Sequence, residues 1–291
     1  MDEQAIRVAL DVGERMGARY ALLPPRRTVA GPGGEQLAHR AGSSVEFMEH
    51  RDYRAGDDIR RIDWAAYART DRLTVKQYRD EVSPHVDVVI DGSRSMALPD
   101  SAKGEATVGV AAAVASAAAS SRFTHHAWLA GEAVLPVGQG RDRPTAWMGL
   151  GFDGERSVGE QLAAAPVRFR PHALRVLVSD LLWPDEPTVV LHRLADGAAG
   201  VVVVQVLAAA DVEPPGHGNL RLLDAETGQH REMFIDDTAR QRYVRRLERH
   251  QSQWAAACRG VGAVLVTLVA ERLVQRWDLS ELVREQVLRV L

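Results

Sequence analysis

Three oxygen-bearing side chains occupy alternate positions in Asp91-Gly92-Ser93-Arg94-Ser95, directly after the apolar run VDVVI. A carboxylate and two hydroxyls on one short loop make half a shell for a hard divalent cation. Mg2+ takes oxygen ligands in near-octahedral geometry and keeps several waters. The remaining oxygens must come from other loops. Asp180 ends the apolar run LRVLVS and is the natural second carboxylate; Ser157, in GERSVGEQL, offers a third-loop hydroxyl, and Thr145 a weaker one. Ser157 also forms, with Glu160, the S-x-x-E of a helix capping box, its favoured use. Asp91 and Ser93 are also able to satisfy free N–H groups of their own loop. The metal reading assigns Asp91, Ser93, Ser95, Ser157 and Asp180 to a Mg2+ site, and the fold does not require that site to be filled.

Other chemistries find less support. There is no G-K-[ST] phosphate loop and no G-x-S-x-G nucleophile elbow. The ten histidines show no H-x-H or H-x-x-x-H spacing, and the adjacent His125 and His126 face opposite sides of a strand. Asp87 stands four residues before Asp91, ~13 Å away in an extended strand, so the two do not share a site. The single cysteine, Cys258, lies in the helical string WAAACRG and reads as a small buried hydrophobe. No catalytic residue and no organic cofactor site is assigned.

The elements that must position these residues follow from the hydrophobic pattern. Residues 1–23 have helical spacing up to Pro24-Pro25, and PPRRTVAGPGGEQ reads as a linker. After Pro84 short β-branched runs alternate with helical segments: HVDVVID, then GEATVGVAAAVASAAASS, then HHAWLA with AVLPV, ALRVLVSD, EPTVVLHRLADG and GVVVVQVLA. A hairpin follows in NLRLLDAETGQHREMFI. A long helix comes next, capped by Asp236 or Asp237 and ended by Gly260. A strand, GAVLVTLVA, and a final helix, LSELVREQVLRVL, close the chain. Strands without polar alternation, separated by helices, predict a mostly parallel, doubly wound α/β sheet. The expected domains are a helix and linker over 1–36, a charged segment over 37–83, and an α/β domain over 84–291.

Composition narrows the function. The chain has 291 residues, 46% of them hydrophobic, which excludes wholesale disorder. With 36 Lys+Arg against 39 Asp+Glu, no global positive field exists to hold nucleic acid. Only Lys76 and Lys103 are lysines; every other cation is an arginine, which suits fixed bidentate pairs. The N-terminus lacks a secretory apolar run and no stretch is long and apolar enough to span a bilayer, so a cytoplasmic location is expected.

Residues 40–81 hold nine basic and nine acidic residues, a balance that suggests paired charges clasping an irregular segment. Here Ala55-Gly56-Asp57 reads as a turn, Arg51, Arg60 and Arg69 are placed to pair with Asp57, Asp63 or Glu46, and Tyr53 and Trp64 serve as apolar anchors.

Two resemblances rest on these strings. The loop Asp91-x-Ser93-x-Ser95, with Asp180 at a later strand end, resembles the metal-ion-dependent adhesion site of von Willebrand factor A domains. There Mg2+ is bound and a partner's carboxylate completes its shell; the family's third-loop threonine has no clear counterpart here, where the equivalent loop offers Ser157 in GERSVGEQL. The string from Arg51 to Trp64, with Gly42 to Phe47, Ala68-Arg69 and Asp91 to Met96, is similar to the family called domain of unknown function 58. That family resembles von Willebrand factor A proteins and is associated with MoxR-class AAA+ ATPases. The resemblance implies a von Willebrand factor A-like fold with a charged N-terminal appendage. It also implies a non-enzymatic adaptor that works with such an ATPase and a client protein through a Mg2+-dependent site. The rivals are a metal-dependent phosphoester hydrolase and a scaffold with a vestigial metal site.

Overall fold

The computed structural model describes residues 1–23, 47–54, 57, 62–78, 84–139, 142–164, 167–214, 216–225 and 228–291. The chain divides into two compact units, residues 1–31 with 84–291, and residues 32–83.

The larger unit is built on a six-stranded sheet. Its strands are β4 (His85–Asp91), β5 (Thr124–Ala130), β6 (Val134–Val137), β7 (Leu174–Ser179), β8 (Gly200–Leu207) and β11 (Val264–Val269), ordered β11-β8-β7-β4-β5-β6. All neighbouring pairs are parallel except β5 with β6. The central strands β7 and β8 are buried along their whole length, as expected of largely apolar strands covered on both faces, with Arg175, Ser179 and Gln205 as their buried polar residues. Alternate residues serve two cores. Val88 and Ile90 of β4 and Val176 and Val178 of β7 enter the core beneath α3 (Lys103–Ser120), whereas Val89 and Leu177 enter the opposite one. That second core is covered by α4 (Val158–Ala164), α5 (Pro187–Ala195) and α7 (Asp237–Val261). Strand order runs outward from β4 in one direction and from β7 in the other. The chain thus leaves these neighbours towards opposite faces and opens a crevice at their carboxyl ends.

Residues 1–31 group with this unit. Helix α1 (Glu3–Gly17), capped by Asp2, lies on α3 with almost no separation. A Cβ on Gly13 would stand 2.2 Å from the Gly109 carbonyl oxygen, and one on Gly17 2.2 Å from that of Ala113. The Ser116 hydroxyl donates to the Glu14 carbonyl at 2.8 Å. Strand β1 (Tyr20–Leu22) then pairs antiparallel with β12 (Leu288–Val290). The expected C-terminal helix is therefore shorter: after α8 (Ala270–Arg276) comes α9 (Ser280–Arg284), Gln286 takes φ +59°, and the chain turns into β12. Helix α7 begins at its expected cap, Asp236, but ends at Gly262 in the left-handed conformation, with Gly260 inside the helix. A short helix α6 (Ala209–Val212) and the hairpin β9 (Gly218–Leu223) and β10 (His230–Ile235) follow β8.

In the smaller unit, β2 (Phe47–Asp52) pairs antiparallel with β3 (Thr74–Tyr78), and α2 (Trp64–Thr70) lies between them in sequence. Asp63 is buried and caps α2, accepting from the Ala65 and Ala66 N–H groups at 3.0 Å. Arg51 pairs with Asp57 at 2.7 Å, one of the expected bonds; the Arg54 N–H and the Arg51 guanidinium hold the Asp57 carboxyl below its ordinary range. Trp64 is no anchor: it is 61% exposed and makes an edge contact with Tyr67. The expected roles of Glu46, Ala55, Gly56 and Arg60 fall outside the described residues.

Candidate functional site

The D-x-S-x-S loop opens at the carboxyl end of β4, where the strand order switches. Its shape depends on close backbone approach. The Gly92 N–H donates to the Ala130 carbonyl at 2.8 Å, the Gly154 N–H to Gly92 at 3.1 Å, and the Arg94 N–H to Gly154 at 3.0 Å. A Cβ on Gly154 would come within 2.8 Å of the Gly131 carbonyl oxygen, so glycine is what lets this second loop lie against the turn after β5.

Asp91 is fully buried. Its Oδ1 accepts from the Ser93 N–H at 3.0 Å and its Oδ2 from the Ser179 hydroxyl at 2.5 Å. The Ser93 and Ser95 hydroxyls lie 3.2 Å apart. Burial pushes the Asp91 carboxyl up to about 6, and the charge of Asp180 adds to the rise against the hydrogen bonds from Ser179 and Ser93. Asp180, the next residue after β7, is also buried, but its charge is already met: Oδ2 accepts from the Lys103 ammonium at 2.8 Å and Oδ1 from the Leu182 N–H at 2.9 Å. The same ammonium lies 3.4 Å from Asp211 of α6. Burial pulls the Lys103 pKa down, but the charges and hydrogen bonds of Asp180 and Asp211 outweigh it and hold the group above the usual lysine range. Tyr243 of α7 closes the cluster, donating to the Asp211 carbonyl at 2.8 Å.

Of the expected metal-site residues, Asp91, Ser93 and Ser95 share the loop, and Asp180 is close enough to raise the Asp91 pKa. Ser157 instead closes its capping box: its hydroxyl accepts from the Glu160 N–H at 3.1 Å, and Glu160 accepts from the Ser157 N–H at 3.3 Å. Thr145 is tied to Glu14 of α1. Among the described residues no group of three or more His, Cys, Asp or Glu side chains is placed to hold a metal ion. As a set the five residues do not fit a resident Mg2+, since one carboxylate is neutralised by a lysine and one hydroxyl is spent on a cap.

Elsewhere, His125 donates its Nε2–H to the Asp142 carbonyl at 3.0 Å while His126 stacks on Trp128, on opposite faces of β5 as expected. Asp87, at the far end of β4, bonds the Trp128 indole and the Arg170 N–H.

Sequence reasoning missed Lys103, Ser179, Asp211 and Tyr243. Lys103 carried one readable signal: it is one of two lysines in a chain that otherwise uses arginine.

The raised Asp91 pKa sets a pH dependence. Between pH 4 and about 6 the folded chain holds a proton at Asp91 that the unfolded chain has released. Stability owed to this group therefore falls as pH rises through that window, by up to ~3 kcal/mol. Asp91→Asn is expected to remove that slope. Urea unfolding of both proteins from pH 4 to 7 measures it, and parallel curves would disprove it.

Fold and site together define an open, mostly parallel α/β protein with a buried acid–hydroxyl cluster at its switch point. The model of the family described as Protein of unknown function DUF58 matches residues 49–253, and the chain belongs to that family. Uncharacterized proteins of Mycobacterium bovis and Mycobacterium tuberculosis are each 32% identical to it over 253 residues, covering 82% of this chain and 79% of theirs. Among solved structures, conserved hypothetical protein BatB of Bacteroides thetaiotaomicron matches 69% of this chain and 98% of its own at 11% identity and TM-score 0.37. An aerotolerance-related membrane protein of Bacteroides fragilis matches 69% and 99% at 12% identity and TM-score 0.35. A membrane spanning protein of Vibrio fischeri matches 69% and 95% at 18% identity and TM-score 0.22.

The expectation of a cytoplasmic location is withdrawn: two of these neighbours are described as membrane proteins, a description of those proteins alone. Among the described residues no helix is long and apolar enough to cross a membrane, and that fact does not assign a compartment.

Proposed function

We propose that this chain is a non-enzymatic interaction module of von Willebrand factor A-like architecture, an adaptor that couples a MoxR-class AAA+ ATPase to a client protein. The observation that carries the reading is the surface beside the crevice. Because β8 runs parallel to β4, the hairpin that follows it starts from the same end of the sheet as the D-x-S-x-S loop. It leaves Phe234 63% and Leu223 60% exposed, and both stand on one face, opposite Asn219 and His230. Large apolar side chains kept in water suit a binding surface, where such groups supply most of the affinity. The ATPase class comes from the family resemblance. A phosphoester hydrolase would need a metal-activated water, and the engagement of Asp180 by Lys103 gives that reading no support.

The test is binding of the purified chain to a MoxR-class AAA+ ATPase of the same organism. Wild type is expected to bind, and Leu223→Arg with Phe234→Arg to weaken binding at least tenfold at unchanged stability. Failure of the wild type to bind, or full binding by the double variant, would reject the proposal.

A further inference from the structure

We propose that Lys103 is a built-in cation that performs at Asp180 the charge-bridging work a divalent ion would otherwise do, so that the strand-end crevice is assembled without a resident metal. Three loops meet there, after β4, β7 and β8, and each brings a carboxylate: Asp91, Asp180 and Asp211. A shared cation is the ordinary means of holding such oxygens together. Here the bridging charge sits on the chain. The Lys103 side chain is 2% exposed, and its ammonium lies 2.8 Å from Asp180 and 3.4 Å from Asp211. It thereby ties the start of α3 to the loops after β7 and β8.

Two further facts favour this assignment over an incidental ion pair. The ammonium stands at the N-terminus of an 18-residue helix, the end that disfavours positive charge, so the carboxylates must outweigh the helix dipole as well as desolvation. In a chain that uses arginine for nearly every other cation, this position has the compact ammonium. A planar guanidinium, with its five fixed donors, does not substitute for a point charge enclosed between two carboxylates.

The test compares wild type, Lys103→Met, Lys103→Arg, Asp180→Asn and the double variant Lys103→Met/Asp180→Asn, by titration calorimetry with Mg2+ and Mn2+ and by thermal melting with each ion or with EDTA. The expected wild-type result is no binding heat and the same Tm in every condition. Lys103→Met should have a lowered Tm that Mn2+ raises by at least about 3 °C, because the two acids are left around a space that a cation fills. Adding Asp180→Asn should abolish that response, and Lys103→Arg should melt below wild type. Wild-type uptake of Mg2+ or Mn2+ that Asp180→Asn removes would overturn the proposal, even if Lys103→Met fails to fold. So would a Lys103→Met protein that melts like wild type and ignores both ions.

Discussion

Alanine at Gly17 is expected to destabilise the protein by about 2–3 kcal/mol, although alanine is the better helix former. Two effects of opposite sign compete. Helix propensity favours alanine over glycine by about 1 kcal/mol inside a helix. Against it stands a Cβ 2.2 Å from the Ala113 carbonyl oxygen and 2.7 Å from its Cα, both of them backbone atoms of α3. No side-chain rotation relieves that contact, so α1 and α3 must move apart along a seam that also includes Gly13 against Gly109. Packing wins because interiors have no spare volume to absorb the shift. Gly260→Ala is the internal control. Gly260 is also helical, but no atom lies within 4 Å of its added Cβ, so the same substitution should stabilise by up to ~1 kcal/mol. Urea unfolding of the two variants measures both, and equal signs would refute the explanation.

The second large effect is expected at Asp180. Asp180→Ala should cost about 3–5 kcal/mol, the range for removing one partner of a buried ion pair. The loss arises less from the attraction forfeited than from the Lys103 charge left in the interior with only Asp211, at 3.4 Å, to face it. The Leu182 N–H also loses its acceptor. By contrast, Arg94→Ala breaks an exposed pair with Glu155, at 2.8 Å, and should cost no more than ~1 kcal/mol. Denaturant titrations of the two variants decide the matter. An Asp180→Ala protein within 1 kcal/mol of wild type would mean that Lys103 finds another partner or water.

Much of the architecture was legible in the sequence because burial on both faces of a sheet leaves a one-dimensional trace. Strands such as LRVLVS and GVVVVQVL are dominated by apolar residues without polar alternation, and the helices between them announce parallel connections. The D-x-S-x-S string could likewise be placed at a strand end, since Asp91 directly follows VDVVI. Caps were readable where they are local: Asp236 for α7, and Ser157 with Glu160 for α4.

What the sequence could not reveal depends on residues far apart along the chain. Lys103 and Asp180 are separated by 77 positions, and nothing near either one predicts the pair. The role of Gly13 and Gly17 appears only when α3 lies against them, because a glycine in a helix reads as a local weakness until a second backbone occupies the missing side chain's place. The C-terminal residues LRV have a helical pattern, yet they form a strand because β1 offers them a partner at the other end of the chain. Local propensity and periodicity thus determined the elements and the loop that bears Asp91, Ser93 and Ser95. The tertiary structure alone decided which charges meet beside that loop, where it sets the Lys103 ammonium between Asp180 and Asp211.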